Sequence, residues 1–263
     1  MDPAGLPPLT SRFMMIRVLA ATAAGLMAFS GTAAAYPIKG VPELTHNALY
    51  KKGKLPKISC KLSKGTTKSS TTKYLNTLVG CLNDAWGPFI PDFEPVKTDI
   101  KATHDEGPCH NGIKITGSFA ISCYTQLQIQ LGADWISAKD DLPILAQVAQ
   151  AWSGVVMGRT GIGAAYWAMP NDADEKQLDE QERRFSMQQL CLAGVTLKAL
   201  GGKSKNWKAT LKAEEPTPKD KYWRDRFSKD KISANDLYWF TQGYTKGTPG
   251  ACNTWTAPAS KVA

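Results

Sequence analysis

The chain has three histidines, His46, His104 and His110, and none beyond position 110. Histidine is the side chain that most readily binds zinc and moves protons near neutral pH. Such chemistry is therefore confined to the first half of the chain, where His104, Asp105, Glu106 and His110 form a local cluster of ligand-type side chains. Their spacing fits no standard zinc pattern. Cys109 lies among them and is expected in a disulfide, so the cluster reads as a polar loop and not as a metal site. His46 reads as a structural or surface residue. A serine hydrolase has no support, since no G-x-S-x-G motif occurs.

The six cysteines, Cys60, Cys81, Cys109, Cys123, Cys191 and Cys252, are an even number, as expected of a disulfide framework. None are spaced C-x-x-C, which argues against a cysteine zinc site. Six cysteines allow fifteen pairings. Proximity along the chain favours Cys60 with Cys81 and Cys109 with Cys123, which leaves Cys191 for Cys252.

The elements that would position a site are legible as periodicities. Tyr74, Leu75, Leu78, Val79, Leu82 and Trp86 follow helical spacing and predict a helix over 72–86, stopped by Gly87 and Pro88. Residues 93–100 read as a strand, with Pro95 pointing to an edge position. Residues 113–115 and 118–131 carry strand patterns, clearest where Leu127, Ile129 and Leu131 alternate with Gln126, Gln128 and Gln130. The glutamine face is expected to be either a solvated strand face or a peptide-binding edge. A helix is predicted over 142–159, capped by Asp140 or Asp141, with Leu145, Ala149, Trp152 and Val156 on its apolar face. Residues 158–174 read as a loop and 175–200 as a second long helix ended by Gly201 and Gly202. A last helix is predicted over 235–245, with Ser233 near its cap.

Two of these helices carry a resemblance. One segment runs Val148-Ala149-Gln150-Ala151-Trp152-Ser153-Gly154-Val155-Val156-Met157, with Thr160-Gly161-Ile162 close behind. The other runs Arg183-Arg184-Phe185-Ser186-Met187-Gln188-Gln189-Leu190-Cys191-Leu192-Ala193-Gly194-Val195. Together they resemble the neutral zinc metallopeptidases of bacteria, including the secreted actinobacterial branch, whose segments read roughly V-A-H-E-Y-G-H-H-V-Q and R-L-E-L-Q-A-D-C-L-A-G-V. Further segments agree in order: Asn47 to Pro56, Cys81-Leu82-Asn83-Asp84-Ala85-Trp86, Trp239-Phe240-Thr241-Gln242-Gly243-Tyr244, and Cys252-Asn253-Thr254-Trp255. The resemblance spans about residues 46–256.

In an H-E-x-x-H helix, two histidines four apart bind zinc and the glutamate serves as general base. A later glutamate completes the ligand set, and the metal activates a water. By resemblance Gln150 and Gly154 take the histidine positions and Ala151 that of the base. Ser186 takes the third ligand position, and Leu190 that of an aspartate orienting a histidine. None of these five can do that work. The resemblance thus implies an α+β, zincin-like scaffold, helix-rich with a small sheet and stapled by disulfides. Catalytic residues and zinc ligands are absent from it, and no cofactor is expected. Glycine costs a helix interior about 1 kcal/mol relative to alanine, so a larger side chain at Gly154 is expected to be tolerated.

The N-terminus reads as an export signal: Arg12 and Arg17, an apolar run over 18–29 too short to span a membrane, and Ala33-Ala34-Ala35 as a cleavage site. Retention as an anchor is the alternative, and translation from Met14 or Met15 fits equally. The expected organisation is a signal peptide over 1–35, an extended arm over 36–71, a metallopeptidase-like domain over 72–256 and a tail over 257–263. No transmembrane span is expected after cleavage, and the location is secreted or at the cell envelope. A hydrophobic content of 43% and an aromatic content of 9% are ordinary for a globular protein.

The net charge of +9 is concentrated in a basic insert over 203–231, with Trp207, Tyr222, Trp223 and Phe227 interleaved. The insert reads either as a patch for an anionic envelope polymer or as a solvated surface diluted by Glu214, Glu215, Asp220, Asp225 and Asp230. No specific nucleic acid is expected. The function expected first is binding of a peptide or protein in the former active-site groove. An active zinc peptidase with atypical ligands and an anionic-polymer binder are the alternatives.

Overall fold

A computed structural model of the protein describes residues 40–104, 109, 117–123, 126–170, 174–211 and 232–263. The signal segment, the start of the arm, the strand expected over 113–115, Asp105, Glu106, His110 and residues 212–231 of the basic insert lie outside the described residues. The described residues belong to one unit, helix-rich with a three-stranded mixed sheet.

The arm is not extended throughout. Helix α1 (Pro42–Thr45) and a 3-10 turn (Ala48–Lys51) open it, because Asn47 supplies local bonds: its side chain accepts from Leu49 N and donates to Glu43 O, and it also reaches the distant Thr160 O. Helix α2 (Lys68–Trp86) starts a turn before the expected Thr72, where Thr67 and Ser70 form a capping box. Its buried stripe is the predicted one. Within its C-L-N-D-A-W segment, Asn83 clasps both backbone groups of Val96, at 3.1 and 2.7 Å, and Trp86 Nε1 donates to Thr196 Oγ1 at 3.2 Å.

Strands β1 (Lys97–Lys101), β2 (Phe119–Cys123) and β3 (Gln126–Gln130) form a sheet in the order β1-β3-β2. β1 begins only after Pro95, which cannot donate to a ladder. β3 pairs parallel with β1 and antiparallel with β2. This corrects one expectation: the glutamine strand is central, both its backbone edges are occupied, and it offers no edge to a peptide. Gln130 is itself buried and bonded to His104 N and Gly117 O.

After the short helix α3 (Ala133–Ser137), α4 (Leu142–Arg159) packs on β2 and β3. Its ends are the predicted ones, and Asp140 Oδ1 accepts from Leu142 N at 3.0 Å. Most of its circumference is buried, from Ile144 to Met157, so it is the central helix. The segment read as a loop contains α5 (Ile162–Trp167); burial of Ile162 and packing of Tyr166 on Phe185 stabilise it despite its glycines. Helix α6 (Glu175–Leu200) is capped by Asp174 and ends at Gly201, whose φ of 76° is left-handed. Helices α7 (Trp207–Leu211) and α8 (Ala234–Lys246) follow.

α6 and α8 cross where neither bears a side chain. A Cβ on Gly194 would collide with Phe240 O, and one on Gly243 with Cys191 O. The C-terminal residues do not dangle as a tail: Trp239 Nε1 donates to Lys261 O, Arg183 Nε donates to Val262 O, and Val262 is fully buried.

The disulfides are Cys60–Cys81, Cys109–Cys123 and Cys191–Cys252, the pairs that proximity favoured. Cys191 and Cys252 are fully buried, whereas Cys60 and Cys81 are partly exposed. Mild reduction followed by alkylation and peptide mapping should open Cys60–Cys81 well before Cys191–Cys252; the reverse order would contradict this burial. Thermal unfolding checks the helix crossing. Gly243→Ala and Gly194→Ala should each cost at least about 1–3 kcal/mol through overpacking. Gly80→Ala, with open space around it in α2, should add about 0.5–1 kcal/mol.

Candidate functional site

On α4, Gln150 and Gly154 lie one turn apart and are both partly exposed, while Ala151 faces the core. On α6, Ser186 and Gln189 are partly exposed and Leu190 is buried. The two helices meet here: Gln189 Nε2 donates to Gln150 O at 3.0 Å. β2 closes the same spot. A Cβ at position 154 would sit 3.1 Å from Ser122 Cβ and 3.4 Å from Gln189 Nε2, and would collide with Ser122 Oγ. The structure therefore brings positions 150 and 154 against α6 at residue 189, three residues past Ser186 and one before Leu190. It turns Ala151 and Leu190 away from solvent.

This geometry corrects the reading of Gly154. A Cβ here meets Ser122 of β2, whose hydroxyl would have to turn away and whose Cβ would have to give by a few tenths of an ångström, so a larger residue is accommodated only if β2 yields. Chemically, the partly exposed residues around this contact offer amides at Gln150 and Gln189 and hydroxyls at Ser122 and Ser186. These donate and accept hydrogen bonds, but none is an ordinary zinc ligand or a base at neutral pH. The donor set at these positions does not fit zinc. Among the described residues, no group of three His, Cys, Asp or Glu side chains is placed to hold a metal ion.

His104 has a structural role. Its ring is buried, and Nε2 lies 3.2 Å from Asp99 O and 3.1 Å from Ile129 O. Both carbonyls only accept, so this nitrogen carries the proton and ties β1 to β3. His46 is exposed, with Nδ1 2.7 Å from Thr45 Oγ1.

Two buried polar clusters on α6 escaped the sequence reading. Gln188 accepts from Trp255 Nε1 at 2.7 Å and donates to the Tyr50 hydroxyl at 2.7 Å, which in turn donates to Leu44 O. Burial pushes the Tyr50 hydroxyl far above its ordinary pKa, and the Gln188 bond offsets this only in part. Arg184 pairs with Glu180 at 2.8 Å while donating to Thr254 O and Ala257 O. An i,i+4 Glu–Arg pair reads as solvent-exposed decoration in sequence; only tertiary contacts reveal its burial. Three segments singled out by resemblance, around Tyr50, Gln188 and Trp255, thus meet in one network.

The fold and site define a helix-rich, three-disulfide domain in which α4 and α6 meet beside β2. No family model, curated protein or solved structure matches the chain.

A double-mutant cycle tests how closely β2 approaches α4. Gly154→Ala should destabilise the protein despite its helix propensity, and Ser122→Gly should relieve the loss in the double variant. A coupling of at least about 0.5 kcal/mol is expected for groups in contact; additive effects in chemical denaturation would refute the contact.

Proposed function

We propose that this chain is an exported, non-catalytic relative of the neutral zinc metallopeptidases. In this reading it has a zincin-like scaffold and holds a peptide or protein segment along the surface where α4 and α6 meet, without cleaving it. The observation that carries the reading is the Gln189 to Gln150 bond beside Gly154 and Ser122. At that place the resemblance calls for two histidines, a glutamate and a carboxylate ligand. Amides and hydroxyls occupy it instead, and these are groups that pair with peptide N–H and C=O. A reaction that needs a metal-activated water and a general base has neither ligands nor base there.

The resemblance gains support from the meeting of its separated segments. Asn47 and Tyr50 of the first, Gln188 of the α6 segment, and Asn253 and Trp255 of the last are joined through hydrogen bonds to one another or to neighbouring backbone. Export is supported by three disulfides, which persist in oxidising compartments. No helix among the described residues is long and apolar enough to cross a membrane.

Metal content and activity of the mature, oxidised protein provide the test. It should purify without stoichiometric zinc, and a denatured protein substrate should survive incubation with it, whether or not a chelator is present. Peptides derived from that substrate should bind saturably, and Gln189→Ala should weaken them. One zinc per chain, lost together with proteolysis on chelation, would overturn the reading in favour of an active peptidase with atypical ligands. Salt-sensitive capture of anionic polymers without peptide binding would shift the function to the basic insert.

A further inference from the structure

Three stretches of the chain, 44–83, 183–211 and 237–263, contain no Asp or Glu. The fold joins them on one face. The arm crosses the C-terminal ends of α6 and α8, where Leu55 N donates to Gly247 O at 2.9 Å and Ile58 N donates to Ala199 O at 2.8 Å. A lysine precedes each of the four residues in these contacts: Lys54, Lys246, Lys57 and Lys198. Lys198 reaches toward the crossing. A Cβ built on Gly247 would lie 3.7 Å from Lys198 Cγ, and Lys198 Nζ sits 5.3 Å from the centroid of the Tyr244 ring. Lys51 and Lys52 extend the row along the arm.

These six lysines are exposed, and none has an ion-pair partner among the described residues. Lys64 of the same arm shows the contrast: its ammonium donates to the carbonyls of Gly65, Ile136 and Ala138 and is spent on structure. Position at a helix C-terminus accounts for Lys198 and Lys246, whose charge complements the macrodipole. It does not account for the four lysines of the arm. Like charges held on one face repel one another and concentrate counter-ions over it.

We propose that this face docks a linear polyanion, a polymer of repeating phosphates. Lys51 to Lys57 span up to about 20 Å of chain, longer than one small anion can bridge. Lysine is a compact point charge on a flexible stem and lacks the bidentate fork of arginine. The row therefore suits a mobile chain of phosphates better than one fixed group. A membrane surface is usually gripped by apolar side chains as well. Among the described residues the exposed large hydrophobic side chain is Trp167, in α5 and outside all three stretches. The face shares no residue with the surface around Gln150 and Gln189, so it does not rest on the peptide-holding reading.

Titration of the full mature protein with inorganic polyphosphate tests the proposal. Binding should be saturable and should weaken steeply between about 50 and 200 mM salt. Lys51→Gln, Lys52→Gln, Lys54→Gln and Lys57→Gln together should weaken it at least about tenfold and flatten its salt dependence, with circular dichroism unchanged. Lys198→Gln with Lys246→Gln should also weaken it, which reads the same face without touching the arm. Two controls each remove four charges elsewhere: Lys97, Lys101, Lys139 and Lys176 to Gln, and Lys219, Lys221, Arg224 and Arg226 of the insert to Gln. Each control should leave the affinity within about threefold, because salt screens distant charges. Equal losses in the arm variant and the controls, or a loss confined to the insert variant, would overturn the proposal. So would no saturable binding of polyphosphate, or tighter binding to vesicles of anionic phospholipid at equal phosphate concentration.

Discussion

The rest of the structure depends on the contact between α6 and α8, where two glycines let backbone meet backbone. Gly194 lies under Phe240 O and Gly243 under Cys191 O, so no side chain separates the helices at the crossing. Interiors are close-packed, and such a contact cannot absorb even one methyl group without a shift. The Cys191–Cys252 disulfide leaves α6 within the same crossing and ties the segment after α8 to it. This contact therefore sets how α6 is rotated about its axis. With Cys191 turned to α8 and the C-terminal turns, Arg184 and Gln188 share its face, while Ser186 and Gln189 point the other way, toward α4.

The two faces of α6 have different chemistry for that reason. One face is a buried polar hub. Gln188 and Arg184 gather Tyr50 from the N-terminal arm and Thr254, Trp255 and Ala257 from the C-terminal turns. A buried ion pair such as Arg184–Glu180 adds little net stability by itself, because desolvation offsets the attraction. Removing one partner is costly, since a buried charge is left unpaired. The hub accordingly specifies where both ends of the domain dock. On the opposite face, toward α4 and β2, an amide (Gln150), a hydroxyl (Ser186), a bare glycine (Gly154) and the buried Ala151 and Leu190 stand where the family resemblance expects ligands, a base and an orienting carboxylate.

Much of the fold was legible because its signals are local. The bounds of α4 and α6 follow from the aspartates before α4, of which Asp140 accepts from Leu142 N, from the apolar period, and from Gly201 after α6; the cap that Asp174 gives α6 was not singled out in the sequence. The disulfide pairs followed from proximity along the chain. The alternation of Leu127 and Ile129 with glutamines identified a strand, because period two is an intrinsic property of extended backbone. The identities of Gln150, Ala151, Gly154, Ser186 and Leu190 already excluded ordinary zinc chemistry at those positions, since ligand chemistry resides in side-chain type.

What tertiary structure alone decided is how those elements face one another. Alternation reports the two faces of a strand and says nothing of its neighbours, so β3 was read as a possible edge although it lies between β1 and β2. Helix propensity treats Gly154 as a local cost, whereas Ser122 from a distant strand crowds the space that a larger side chain would take. Residues 162–167 look like loop by composition and become helical because Ile162 and Tyr166 find partners on other elements. The burial of Glu180, Arg184 and Gln188 is decided only when the chain ends close over this face of α6. Caps and periodicities act over one turn of chain, while burial and close approach are set by residues far apart in sequence, and only the folded chain brings those together.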